Sequence, residues 1–418
     1  MNRTNRAKAK ISTENRMAAW LCTLVYFASY VMRINIAVMM VKICGEMQLQ
    51  KSELSVVVVA LTVCYAVGQV ISGFLGDHIR PTRRLFFGLL TAVVCNVTIF
   101  FCHSVPLMAV IWGINGLAHA LLWPPMVRLL AQKLDDVSYN YAIVRVSSGS
   151  SFATVLMYLV CPLLLQWMNW RFVMLGCAGV GVLVALLWRI GYPKLFANET
   201  VGTAVAVNND LSGEAAPTKV KMPAALYFPL VLIFLDILCM GVLREGVTNW
   251  MPSYMKDCFH LSDEGSILLT VIPAIFAVFS YQLFAKIQQK LVKNEMLCTA
   301  LIFALASASA LILYFVTGGS SVASTILMSV IIGCMHGAGL MLTSVVPKRF
   351  VQYGVVSTIS GLINSFTYVG ASLSTYGFAV LAEQFGWKFT IGMWFVVALV
   401  GMLIGLFTAR LWKKYCKN

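Results

Sequence analysis

Apolar runs of about 20 residues or more recur down the whole chain, each able to cross a hydrocarbon core of about 30 Å. This recurrence leaves few folds open. Soluble domains carry about a quarter of charged residues, whereas here 60% of the residues are hydrophobic and only 11% charged. The pattern excludes a soluble enzyme, a DNA-binding domain and a secreted module built on disulfides. It predicts an all-α membrane protein that crosses the bilayer many times.

Polar breaks divide the apolar sequence into twelve expected spans, at 17–44, 54–76, 85–103, 106–130, 141–167, 170–192, 223–253, 264–285, 295–317, 321–346, 352–381 and 387–411. The longest non-apolar stretch, 193–222, separates them into two sets of six. The expected organisation is an N-terminal six-helix bundle (1–192), a cytoplasmic central loop (193–222) and a C-terminal six-helix bundle (223–418). Two short matches support a repeat: Gly116-x-x-His119 with Gly333-x-x-His336, and Trp170-Arg171-Phe172 with Trp387-Lys388-Phe389, both 217 residues apart. Parallel halves of this kind build secondary transporters, whose site lies between the halves near the bilayer midplane.

The net charge of +15 has a topological reading. With the N-terminus in the cytoplasm, 24 of the 31 Lys and Arg fall on the cytoplasmic side. The opposite loops hold only Lys42, Lys51, Arg171, Lys256 and Lys388. The positive-inside rule then places both termini in the cytoplasm of a multi-pass cell (inner) membrane protein, with the bilayer and not nucleic acid as its partner. None of the twelve cysteines forms a CxxC, and Cys22, Cys64, Cys95, Cys177, Cys239 and Cys334 lie inside apolar runs, where cysteine acts as a small hydrophobe. No metal, no cofactor and no obligate second subunit is expected, so the chain is read as a monomer.

Two cations remain, Arg33 in the middle of the first span and Arg244 in the seventh, the corresponding span of the second half. Ionisable groups inside the membrane are costly and mark functional paths. A guanidinium stays charged and offers a planar fork to phosphate or carboxylate. One such arginine from each half would hold a small anionic metabolite and couple its presence to closure. The bland alternative is a structural cation satisfied by carbonyls or by a nearby acid. Tyr26, Tyr30 and Arg33 share a helical face, as do Tyr65 and Gln69 in the second span. His119 and His336 occupy equivalent places, as packing residues or as substrate contacts. Trp123-Pro124-Pro125 is expected to bend the fourth span, because proline removes a donor. Glu245 and Asp236 are the candidates for carrying a proton or neutralising an arginine.

Tyr30-x-x-Arg33-x-Asn35, Asn115-Gly116…Trp123-Pro124-Pro125 and Arg244-x-Gly246-x-x-x-Trp250-x-Pro252-x-Tyr254 together resemble the organophosphate:phosphate antiporters of the major facilitator superfamily. Gly73-x-x-x-Asp77-His78-x-Arg80…Arg83-Arg84 is similar to the loop of that superfamily between spans two and three, with His78 replacing its usual arginine. The resemblance implies that Arg33 and Arg244 bind the substrate's phosphate. It also implies that Asp77 and Arg84 help latch a cytoplasmic gate, to which Arg80 in the same cluster is added as a candidate. Tyr30, Tyr26, Tyr65, Gln69, Trp123, His119 and His336 are candidate substrate contacts from their own placement in the spans. Three departures stand out. Span five reads Arg145-Val146-Ser147-Ser148-Gly149-Ser150-Ser151, without the histidine of the glycerol-phosphate and hexose-phosphate carriers. Gln69 replaces a lysine, and Glu245 directly follows Arg244. The leading expectation is alternating-access exchange of an organophosphate for inorganic phosphate. Proton-coupled symport of a carboxylate or sugar acid and a transporter-like sensor of an anionic metabolite are the alternatives. An enzyme is not expected, since no nucleophile–base pair or phosphate-binding glycine loop is present.

Overall fold

A computed structural model describes residues 11–196, 222–261, 269 and 271–413. Most of the expected central loop, and the first residues of the expected eighth span, lie outside the described residues. In hydrocarbon every backbone N–H and C=O must find a partner within the protein, and the described residues meet that demand with helices. The first bundle comprises α1 (Thr13–Met47), α2 (Lys51–Gly76), α3 (Pro81–Phe100), α4 (Val105–Ala120), α5 (Trp123–Lys133), α6 (Asp136–Leu164) and α7 (Trp170–Leu195). The second begins with α8 (Tyr227–Phe259), α9 (Val271–Lys290), α10 (Glu295–Phe315) and α11 (Ser321–Leu340). Its last element, Val356–Trp412, has 57 residues, about twice what one crossing needs. Gly386 divides it with φ 78° and ψ 172°, giving α12 (356–385) and α13 (387–412). With α4 and α5 forming one interrupted crossing, the described residues give twelve spans, as the hydropathy predicts.

Local chemistry explains the ends and interruptions. Ser12, Asp135, Asn169, Asn294 and Ser320 each accept a backbone N–H at a helix start. Span four breaks between Ala120 and Trp123, where Pro124 and Pro125 sit in the first turn of α5. Beyond α11 the chain continues through a π-helical turn, Met341–Val345, to Lys348. Pro347 cannot supply the N–H owed to the carbonyl four residues back. That carbonyl, of Thr343, instead accepts the Ser360 hydroxyl at 3.2 Å.

Glycines set the closest helix crossings. A Cβ at Gly116 would strike the Leu61 backbone carbonyl of α2, and one at Gly241 that of Thr367 in α12. Gly73 and Gly361 make the equivalent crossing between the bundles, α2 against α12. Outward faces carry large exposed apolar residues such as Val59, Val63, Phe87, Leu183 and Phe279, the surface that lipid would cover.

Candidate functional site

The middle of α1 is fixed to the first bundle by its own backbone carbonyls. The Met32 carbonyl accepts Nδ2 of both Asn96 and Asn115, each at 3.1 Å. Asn35 donates to Asn96 Oδ1 at 2.7 Å. His119 lies 2.8 and 2.7 Å from the carbonyl oxygens of Asn115 and Ser29. Both ring nitrogens face these carbonyls, the packing arrangement of the two expected for His119, and the ring does not line the cavity beside Arg244. Arg33 is thereby presented from a rigid helix.

Arg33 projects across the seam between the bundles. Its guanidinium lies 4.0 Å from the centre of the Tyr65 ring, 5.6 Å from those of Tyr30 and Tyr368, and donates to the Tyr368 hydroxyl at 2.8 Å. Among the described residues no carboxylate pairs with it. A ring face attracts the cation without neutralising it, so the cage holds a guanidinium that keeps its charge.

Arg244 is held differently. Its Nε and Nη2 meet Glu245 Oε1 at 2.9 and 2.8 Å. The two side chains keep 19% and 31% of their surface exposed, so the pair stays within reach of an entering solute. Arg244 lines a cavity of about 60 Å³ together with Tyr26, Tyr30, Tyr65, Trp123 and His336. Tyr281, Asn364 and Tyr368 complete its second-bundle wall, and Ser147 and Ser150 come from α6. Nδ1 of His336 is 2.8 Å from the Tyr281 hydroxyl, and Asn364 donates to the Tyr65 hydroxyl at 3.2 Å. The two histidines of the repeat therefore share a position and differ in surroundings.

Two further candidates stand apart. Gln69 lies one turn beyond Tyr65, fully buried, and does not line the cavity; its amide has no protein partner. Asp236 is fully buried, and neither carboxyl oxygen has a protein partner. The charge partner of Arg244 is Glu245 and not Asp236. Tyr281, Asn364 and Tyr368 escaped sequence reasoning, although Asn364 and Tyr368 are four apart and share a helical face.

The bundles are tied at the end where α1 begins. The N-terminal turn of α12 needs acceptors for its first N–H groups, and Val355 at its cap has none to offer. Asp77, just past α2, supplies them across the seam, accepting from Ser357 N at 3.1 Å, Thr358 N at 2.9 Å and Thr358 Oγ1 at 2.6 Å. Burial raises the Asp77 carboxyl above the ordinary aspartate value, opposed by these hydrogen bonds from Thr358 and Ser357 and by Arg128. Arg84 donates to Ser72, and Arg128 donates to the Gly76 carbonyl. Arg80 is exposed and only opens α3, so the cationic part of this cluster is Arg84 with Arg128. Lys348 meets Asp136 at 2.7 Å, and Tyr139 donates to the Ser344 carbonyl at 2.8 Å. Both contacts cross the seam at the same end.

The sequence matches the Major Facilitator Superfamily over residues 22–375. It is 23% identical to the phosphoglycerate transporter protein of Salmonella typhimurium, across 87% of this chain and 82% of that one. It is 20% identical to a probable hexose phosphate transport protein of Chlamydia trachomatis, across 92% and 88%. The glycerol-3-phosphate transporter of Bacillus subtilis is 22% identical, across 87% and 85%. Among solved structures, the proton:xylose symporter XylE superposes with a TM-score of 0.74 at 12% identity, over 97% of this chain and 96% of that one.

Proposed function

The chain belongs to the Major Facilitator Superfamily, and from that premise we propose that it carries phosphorylated organic anions by alternating access, in exchange for inorganic phosphate. The observation that carries this reading is the uncompensated Arg33, which lies behind the cavity wall and is caged by Tyr30, Tyr65 and Tyr368, the same three tyrosines that line the cavity beside Arg244. A phosphate dianion between two guanidiniums can accept several charge-assisted hydrogen bonds. The cavity suits the phosphate head alone, so the remainder of the substrate extends away from it. Relatives named for phosphoglycerate, hexose phosphate and glycerol 3-phosphate support the substrate class.

In this reading the ties at Asp77, Lys348 and Tyr139 seal the cytoplasmic side, and the site communicates with the opposite one. Both termini then lie in the cytoplasm. An entering anion replaces Glu245 on Arg244, and Arg33 and Tyr368 draw the bundles together around it. Phosphate satisfies both arginines in the same way, which makes exchange the natural mode.

Counterflow in proteoliposomes tests the proposal. Vesicles loaded with inorganic phosphate are expected to take up labelled phosphoglycerate, hexose phosphate or glycerol 3-phosphate, with uptake dependent on the internal phosphate. Uptake of small carboxylates driven by a pH gradient, with none of phosphate esters, would instead select proton symport. The unpartnered Asp236 carboxyl is the observation that favours that second reading.

A further inference from the structure

A second cavity, of about 790 Å³, opens along the seam on the lipid-facing side of the protein. Its walls come from α1 and α6 in the first bundle and α9 in the second. Trp20, Leu24 and Phe152 give it an apolar lining and are themselves substantially exposed. Two cations enter it, Arg145 from α6 and Lys286 from α9. Among the described residues neither is paired with a carboxylate. The Arg145 guanidinium is instead held between aromatic rings, 4.8 Å from Trp20 and 4.7 Å from Tyr141. Stacking occupies its faces and leaves the N–H edge to bind an oxyanion.

The depth of these groups identifies the occupant. Helix α6 has 29 residues, about 43 Å, the thickness of a bilayer with its headgroups. Arg145 is nine residues from its start, about 13 Å along, where a long side chain can reach up to the phosphate level. Lys286 is four residues from the end of α9 on the same side. Tryptophan and tyrosine at this level mark the interface. Ile11 borders the cavity, and the sequence before it carries Arg3, Arg6, Lys8 and Lys10, whose charge has the same sign as that of Arg145 and Lys286 and offers them no complement.

We propose that this cleft binds one anionic phospholipid, with its phosphate on Arg145 and Lys286 and an acyl chain along Trp20, Leu24 and Phe152. Because α6 and α9 belong to different bundles, the lipid bridges them and favours the conformation sealed by Asp77. The site is separate from the cavity beside Arg244, and the proposal stands whichever anion is transported.

Delipidated protein is titrated with phosphatidylglycerol or phosphatidylcholine, and bound lipid is counted by native mass spectrometry. Wild type is expected to prefer phosphatidylglycerol by roughly fivefold or more, about 1 kcal/mol per basic side chain near the headgroup. Arg145→Gln should abolish the preference. Lys286→Gln, at an exposed position where folding is not at risk, should at least halve it. Phosphatidylglycerol should also raise the melting temperature of wild type more than that of Arg145→Gln. Equal retention of the two lipids by wild type, or a preference undiminished in both variants, would overturn the proposal. So would displacement of the lipid by millimolar inorganic phosphate or glycerol phosphate, since the cleft would then be a site for soluble anions.

Discussion

Arg244 and Glu245, neighbours in sequence, close on one another in space, with Nε and Nη2 of the arginine on one carboxylate oxygen at 2.9 and 2.8 Å. Consecutive helical residues diverge by about 100°, so the contact depends on the long arginine folding back. Arg33, its counterpart in the first bundle, has tyrosines in place of an acid. One arginine is therefore paired with an acid and the other is not, and under the proposed function an anion must compete for the first and not for the second.

Replacing Glu245 with Gln removes that competitor. Solvent-accessible ion pairs are worth on the order of 1 kcal/mol or less, so with this pair partly exposed anion affinity is expected to rise by a few fold, at most about tenfold. Calorimetric titration with phosphate and with phosphate esters measures it. Weaker binding would mean that Glu245 positions Arg244 and does not compete for it.

Arg33→Lys replaces a fork by a point charge and loses the bond to Tyr368. A hydrogen bond to a charged group contributes about 1.5–3 kcal/mol, so substrate should bind at least about tenfold more weakly in a protein that still folds. Tyr368→Phe removes one of those bonds and should have a smaller effect in the same direction. Thermal-shift titration of both variants separates them, and an Arg33→Lys variant with wild-type affinity would make the arginine structural.

Asp77 provides a pH dependence whose sign can be stated. Its pKa is raised by burial, so the charged form costs stability above that value, and the cost disappears as pH falls through it. Asp77→Asn is therefore expected not to lower the melting temperature at neutral pH. It should nonetheless weaken the cap on α12, because an amide has one oxygen acceptor where the carboxylate uses two. Cysteine labelling from the side that carries Asp77, the cytoplasmic side under the proposed orientation, should increase in the variant, and in wild type only as the medium is acidified. A melting temperature that falls together with unchanged labelling would remove Asp77 from the gate.

Two glycines separate folding from gating. An alanine at Gly116 meets the Leu61 carbonyl within the first bundle, where overpacking costs roughly 1–3 kcal/mol, and should lower the melting temperature. An alanine at Gly361 meets Gln69 and Gly73 across the seam. It should leave each bundle intact and shift the protein away from the sealed conformation. Similar melting losses for both variants, with no change in cytoplasmic labelling, would contradict the distinction.

The architecture was legible because the bilayer allows so few solutions. Run length gave twelve crossings, and Pro124-Pro125 gave the break in the fourth. Arg33, Arg244 and Glu245 were legible for the same reason, since charge inside a span needs a cause. What hydropathy could not reveal was pairing. His119 and His336 look equivalent in the repeat, yet one is consumed by two carbonyls and the other reaches the cavity with Tyr281. Tyr368 and Asn364 were missed because a tyrosine or an asparagine in a span is unremarkable until its neighbour across the seam is known. Asn35, part of a recognised sequence pattern, proved to be a brace between α1 and α3.

Gly386 joins α12 to α13 through a single residue, at a φ of 78° that is open to glycine and strained for other residues. A Cβ there would meet nothing within 4 Å, so the demand for glycine comes from the backbone alone. With a single residue between them, the facing ends of α12 and α13 cannot part, so the far end of α12 stays tethered to α13 whatever the Asp77 end does.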